Sequence, residues 1–224
     1  TRSPFVVEEY LNRKIFIPKI GDYYPFWSDL SDLKPELIRT YDIGYVGLFN
    51  NNATEVELRL HKNVLTDIIV LDSTPAIGGF KQGSAFDVDG FEATLSHKFK
   101  GTKVLLNYAN IKITAKQQVV GNTADYETGA PDDVASLLVM HDFDDSLKGS
   151  LGYYYTGSYQ QLCCEVQQQA PRKRVDLVLS KSFKVSGHNS ELKFVLQNAL
   201  NEKINTRFYN NYHRQGYISF SLEL

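Results

Sequence analysis

Long apolar runs are missing from this 224-residue chain. The longest clusters, Ile68 to Leu71 and Ala135 to Met140, fall far short of the roughly 18 residues that a membrane-spanning helix needs, so a helical membrane protein is excluded. A basic excess is missing too. Lys and Arg number 24 against 26 Asp and Glu, which leaves nothing to neutralise a phosphate backbone, and no nucleic-acid partner is expected. The only cysteines, Cys163 and Cys164, are adjacent, and they offer neither zinc-ligand spacing nor a disulfide framework. A bond between neighbours is strained, so pairing elsewhere is the alternative. The segment Thr1-Arg2-Ser3-Pro4-Phe5 has no initiator Met and no secretory leader, from which a mature product or a piece of a longer chain is expected. No P-loop, dinucleotide fingerprint or Ser-His-Asp order occurs. His61, His97, His141, His188 and His213 lack metal-ligand spacing, and the acidic pairs Asp132-Asp133 and Asp144-Asp145 suit a strand entry and a tight turn. No catalytic residue, metal or cofactor is therefore expected.

What the chain does have is aromatic weight, with 14 Tyr and 13 Phe, a composition that favours strands and wet interfaces. It also has a hydrophobic period of two in segment after segment. Near the C-terminus Ile218, Phe220, Leu222 and Leu224 alternate with Tyr217, Ser219, Ser221 and Glu223. Leu192, Phe194 and Leu196 do so against Lys193, Val195 and Gln197, and Val175, Leu177 and Leu179 against Asp176, Val178 and Ser180. Leu147 to Thr156, Ala135 to Phe143, Val104 to Tyr108, Phe91 to Phe99, Val56 to Leu60 running toward Leu71, and Tyr41 to Phe49 complete the set. The expectation is an all-β chain, an antiparallel up-and-down meander of about nine strands.

The connections sort by length. Short polar turns lie at Asn50-Asn51-Asn52, Lys100-Gly101-Thr102, Asp144-Asp145-Ser146 and Ser186-Gly187-His188, all hairpin compositions. Long links fall at about Asp72 to Ala85, Thr114 to Gly129, Gln160 to Pro171 and Asn201 to His213. Short turns on one side and long loops on the other suit part of a larger transmembrane β-barrel better than a Greek-key sandwich. The strands entering the short turns finish on Phe49, Phe99, Phe143 and Phe183, with Gly47, His97, His141 and Lys181 two positions earlier. Such a stripe is what an aromatic girdle at a membrane boundary predicts. The opposite face holds Glu57, Arg59, Glu92, Thr94, Lys98, Asn107, Asp176 and Gln197, side chains expected to line a wet lumen. On that reading Asp176→Asn is expected to be nearly silent.

These residues resemble a known family. The order of Thr1-Arg2-Ser3-Pro4-Phe5 with Glu9-Tyr10, Leu33-Lys34-Pro35-Glu36 before Tyr41-Asp42-Ile43-Gly44-Tyr45, Gly90-Phe91-Glu92, and Gln197-Asn198-Ala199-Leu200-Asn201 before the last loop is similar to the C-terminal barrel of TonB-dependent outer-membrane receptors. The resemblance implies an extracellular loop segment over residues 1–39, nine strands over 40–224, and a plug domain absent from the 224 residues. Large transporters of this kind have about 22 strands around a plugged lumen, so part of a longer receptor is expected. Leu224 departs from the aromatic with which such barrels end. The resemblance further implies a location in the bacterial outer membrane, among its lipid, and no enzyme. It implies import of a scarce ligand such as a ferric siderophore, haem or cobalamin, with the receptor's own plug domain and the TonB energy-transducing complex as partners. The extracellular small-molecule ligand would meet loop aromatics and cations, for which the candidates are Tyr23, Tyr24, Trp27, Arg207, Tyr209, Tyr212 and His213. A small passive porin or adhesin-like barrel is the alternative. An outer-membrane enzyme would need a nucleophile and base at the rim, for which Ser136 and His141 are the residues to mutate.

Overall fold

The computed structural model describes residues 13–17, 22–27, 33–72, 79–117, 126–161, 167–202, 204–206 and 209–223. Alternating side chains on a half-apolar backbone form strands, and fifteen are present among these residues. Three small hairpins account for six: β1 (Arg13–Ile17) with β2 (Asp22–Trp27), β9 (Tyr159–Gln161) with β10 (Gln167–Gln169), and β13 (Ile204–Thr206) with β14 (Tyr209–Tyr212). The other nine make one sheet: β3 (Leu37–Phe49), β4 (Thr54–Asp72), β5 (Gly79–Phe99), β6 (Thr102–Gln117), β7 (Asp133–Asp142), β8 (Leu147–Thr156), β11 (Arg172–Val185), β12 (His188–Gln197) and β15 (Gln215–Leu222). Their order is β15-β12-β11-β8-β7-β6-β5-β4-β3, every neighbour antiparallel. This is the expected nine-stranded meander. No helix among the described residues is long and apolar enough to cross a membrane.

The short turns follow from their residues. Lys100 and Gly101, and again Ser186 and Gly187, all have positive φ, the paired left-handed geometry that matches the twist of two flanking strands. Asn50, Asn51 and Asn52 have positive φ in succession, a conformation whose steric cost asparagine bears better than most side chains. In the third turn Asp144 Oδ1 accepts the backbone N–H groups of Ser146 and Leu147, each at 2.7 Å, and the Ser146 hydroxyl at 2.6 Å. These bonds hold the Asp144 carboxyl down at about 2.

Two expected boundaries change. The link placed at Asp72 to Ala85 is largely paired sheet, because β5 begins at Gly79 and Asp72 faces it. A bulge at Asp67, φ 56°, shifts the register there and breaks the period of two that marks a strand in sequence. Likewise β3 begins at Leu37, and the links at 160–171 and 201–213 contain the hairpins β9–β10 and β13–β14. Leu224, Cys163 and Cys164 lie outside the described residues.

Register sorts the side chains into two faces. One carries Ile43, Tyr45, Leu58, Leu60, Leu95, Leu106, Leu137, Leu151, Leu177, Leu179, Phe194, Leu196, Ile218 and Phe220. Nothing among the described residues covers it. Ile43 and Ile218 are each 70% exposed and Phe220 57%, and the buried hydrophobic residues among those described are only Ile69, Val70, Phe86 and Val195. A single sheet with a bare greasy face and a polar reverse is stable only where hydrocarbon replaces water.

The same register gives the tilt. Phe49 lies in the cross-strand row of Thr54 and His97, two residues short of Phe99. Phe99 lies in the row of Thr102 and His141, two short of Phe143. Leu147 faces Lys181, two short of Phe183. The sheet therefore slips two residues per hairpin, one per strand. With a rise of about 3.4 Å and a strand spacing of about 4.8 Å, this corresponds to a tilt of about 35°, within the range of membrane barrels.

Candidate functional site

The girdle at the short-turn end is built from cross-strand polar pairs. His97 Nδ1 lies 2.8 Å from Thr54 Oγ1, and His141 Nδ1 lies 2.8 Å from Thr102 Oγ1. The His97 ring stacks on Phe99 at 5.5 Å, and the His141 ring meets Phe143 edge-on at 4.7 Å. Lys181 donates to the Ser146 hydroxyl. Gly47 lacks a polar tip of its own, and the Tyr45 hydroxyl and Phe49 ring occupy its place; a Cβ there would lie 2.5 Å from Tyr45 Oη. At Gly47, His97 and His141 a polar atom thus sits beside an aromatic ring, and at Lys181 an ammonium meets a hydroxyl, as suits an interfacial belt. The threonine partners had no signal in the sequence, because each lies about forty residues from its histidine.

At the opposite end, the long arms of β4, β5 and β6 carry charge on the same outward face. Lys62 Nζ reaches Asp87 at 3.0 Å and Asp89 at 3.5 Å, and Lys116 Nζ reaches Asp87 at 3.5 Å. Tyr108 Oη donates to Asp133 Oδ1, which also accepts from Asn110. The apolar band therefore ends in ionic contacts above and in His–Thr pairs below.

The inner face is polar and connected. Arg59 stands between Asp42, at 3.6 Å, and Glu92, at 4.0 Å. These groups are about half exposed, so each pair contributes only ~0–1 kcal/mol, and its effect is to orient the guanidinium. His61 Nδ1 is 3.6 Å from Glu92, beyond hydrogen-bond reach, and has no other partner among the described residues. The His61 ring packs over Gly90, where a Cβ would come within 2.2 Å of ring atoms; the glycine of Gly90-Phe91-Glu92 makes room for it. Further along, Thr94 donates to Asn107 at 3.0 Å and Asn107 to Ser136 at 3.1 Å. Across one face this is a charged and hydrogen-bonding surface, with no cluster of metal-binding side chains among the described residues.

Asp176 departs from expectation. Its Oδ1 accepts the Asn198 backbone N–H at 2.9 Å, and its Oδ2 pairs with Arg174 at 2.9 Å. The Arg174 guanidinium sits over the Tyr154 ring at 4.7 Å. Asn198 is fully buried with positive φ, and its amide donates to the Glu202 carbonyl and accepts the Glu202 N–H. Asn201 accepts the Arg214 N–H at 3.0 Å. Asp176 thus anchors the root of the last loop, and these contacts replace the expectation of a silent Asp176→Asn with one of a measurable cost, since the charge paired with Arg174 is lost.

Of the proposed ligand residues, Tyr23 and Tyr24 pair with Phe16 and Ile15, and Trp27 with Arg13, in the β1–β2 hairpin. Tyr209 and Tyr212 lie on β14 opposite Thr206 and Ile204, and His213 follows, exposed. Arg207 lies outside the described residues. Backbone pairing sets each group on its own hairpin.

Known proteins match this geometry. The family described as TonB dependent receptor-like, beta-barrel, matches residues 13–201. In fold the chain is similar to the pyoverdine outer membrane receptor FpvA of Pseudomonas aeruginosa PAO1, with a TM-score of 0.68 and 18% identity over 89% of this chain and 32% of that one. It is similar to the ferric-catecholate import receptor Fiu of E. coli K12, with a TM-score of 0.61 and 17% identity over 86% and 28%. The copper transporter OprC gives a TM-score of 0.64 and 10% identity over 84% and 31%. The chain spans about a third or less of these proteins. No curated protein sequence matches it. The family consists of outer-membrane transport receptors rather than enzymes. A bare apolar outer face, an inner face of ion pairs, and a match over residues 13–201 lead to one assignment: this chain belongs to the TonB-dependent receptor β-barrel family of the outer membrane.

Proposed function

We propose that the chain supplies nine strands to a receptor that binds a scarce extracellular small molecule and imports it. The observation that carries this reading is an uncovered apolar face backed by an inner face on which Arg59 pairs with Asp42 and Glu92, in a chain that matches the receptor barrel family over residues 13–201. A charged lumen alone does not separate a passive pore from a plugged receptor; the match to a receptor barrel family favours the second. The receptor's plug domain would rest on this face, and the TonB energy-transducing complex would act on the plug from the periplasm. The ligand would meet the loop groups Tyr23, Tyr24, Trp27, Arg207, Tyr209, Tyr212 and His213, since aromatics with a few cations suit planar or anionic molecules such as a ferric siderophore or haem.

Uptake by a strain carrying only this receptor, measured over a panel of ferric siderophores, haem, cobalamin and copper, tests the proposal. One compound should enter in a TonB-dependent manner, and alanine at Trp27 or Tyr209 should weaken its binding about tenfold, roughly 1.4 kcal/mol. Uptake that persists without TonB would overturn the reading in favour of a passive pore.

A further inference from the structure

The inner face changes sign toward the short-turn end. Lys98 is the last residue but one of β5 and Lys103 the second of β6, and the two are direct cross-strand partners on the same inner face as Thr94 and Asn107. Like charges directly opposite each other destabilise a sheet. Lys100 adds a third ammonium in the turn between them, and Lys148 a fourth on β8. Across this cluster the one carboxylate within ion-pair reach is Asp142, and it holds Lys148, at 3.7 Å. Lys98, Lys100 and Lys103 have no acidic partner among the described residues. The four lysines border a groove of about 690 Å³, with Met140 and Val178 among its apolar lining and Ser150 and Ser180 beside them. Met140, Ser150, Val178 and Ser180 share the inward register of Lys98 and Lys103, so the groove opens to the lumen and not to lipid.

We infer that this groove holds an acidic peptide segment of the domain that fills the lumen, its carboxylates between Lys98 and Lys103 and an apolar side chain against Met140 and Val178. The inference rests on the proposed plugged receptor and names one seat of the plug. A peptide is favoured over a passing anionic ligand because the repulsion between the opposed lysines is present in the resting state, when nothing is in transit, and because Met140 and Val178 add an apolar lining beside them. It is favoured over lipid headgroups because the inward register turns Lys98 and Lys103 away from the bilayer. The seat would also make plug release sensitive to salt at the periplasmic mouth.

The test uses the full-length receptor in detergent with a water-soluble carbodiimide, which joins lysine amines to touching carboxylates with loss of water, followed by peptide mapping. The expected result is a cross-link from Lys98 or Lys103 to Asp or Glu of the luminal domain, lost at 1 M salt and in the Lys98→Gln, Lys103→Gln double variant. In parallel, acylation of Lys98 and Lys103 should run at least tenfold slower than that of Lys112, which faces outward. Links only within the sheet, to Glu55 or Asp142, together with acylation as fast as at Lys112, would overturn the inference. So would protection that appears only on adding an anionic ligand, which would assign the groove to cargo. Uptake is scored separately. A receptor that imports but gives no luminal cross-link refutes this seat alone, and one that cross-links but does not import refutes the transport reading alone.

Discussion

Strand β11 carries its own depth gauge. On its outward face Lys173, Val175, Leu177, Leu179 and Lys181 follow one another, so eight residue steps separate two lysines that bracket three aliphatic side chains. At about 3.4 Å per step and a tilt of about 35°, that interval spans about 22 Å along the membrane normal, close to the ~25 Å apolar band of such barrels. Leu177 then sits near the midplane, about 11 Å from either boundary. Arginine placed in turn at these five positions should cost ~2–4 kcal/mol at Leu177 and fall to ~0–1 kcal/mol at Lys173 and Lys181. The assay is reversible guanidinium unfolding of the receptor in lipid vesicles, each variant compared with the parent. A flat profile, or a maximum at either lysine, would refute the placement of this face in hydrocarbon.

Three other outcomes follow from the contacts. Gly90→Ala should destabilise by ~1–3 kcal/mol, because its Cβ would enter the His61 ring, and most of that cost should vanish in a His61→Ala background, read as a double-mutant cycle. Asp176→Ala should cost ~1–3 kcal/mol by stranding the Asn198 N–H and Arg174, and limited proteolysis should then cut residues 199–214 faster than in the parent. Asp144 has its carboxyl lowered from 3.8 to about 2 by the Ser146 hydroxyl and the Ser146 and Leu147 N–H groups. Its contribution is therefore complete above about pH 4 and is lost as pH falls toward 2. The stability gap between parent and Asp144→Ala should close over that interval, and a gap unchanged from pH 5 to 2 would contradict the turn's geometry.

Strands and faces were legible in the sequence because each follows from local rules. Alternation in Leu192-Lys193-Phe194-Val195-Leu196 sets which side is greasy, and Lys100-Gly101 and Ser186-Gly187 announce tight turns through the backbone shapes they tolerate. The girdle stripe was legible because register repeats it in every second strand. Contacts between distant residues were not. The hydroxyls of Thr54 and Thr102 find their histidines, and Asp176 finds Asn198, only after strands pair, and no local pattern marks them. The far arm of β5 escaped for a different reason: the bulge at Asp67 on its partner shifts the register, and Asp87 and Asp89 put charge where an apolar residue would signal a strand. The candidate ligand groups on β2 and β14 stand out by residue type, and type alone does not state which of them converge.

The facing of the sheet is tested most directly by spin labels placed singly at residues 175 to 180 and 192 to 196 of the receptor in bilayers, with Cys163 and Cys164 replaced by serine. Collision with oxygen, which concentrates in hydrocarbon, should be high at 175, 177, 179, 192, 194 and 196 and low at the residues between them, with a polar nickel reagent less accessible at the oxygen-rich sites. Equal oxygen accessibility on both faces, or the alternation reversed, would contradict a barrel wall with this face toward lipid.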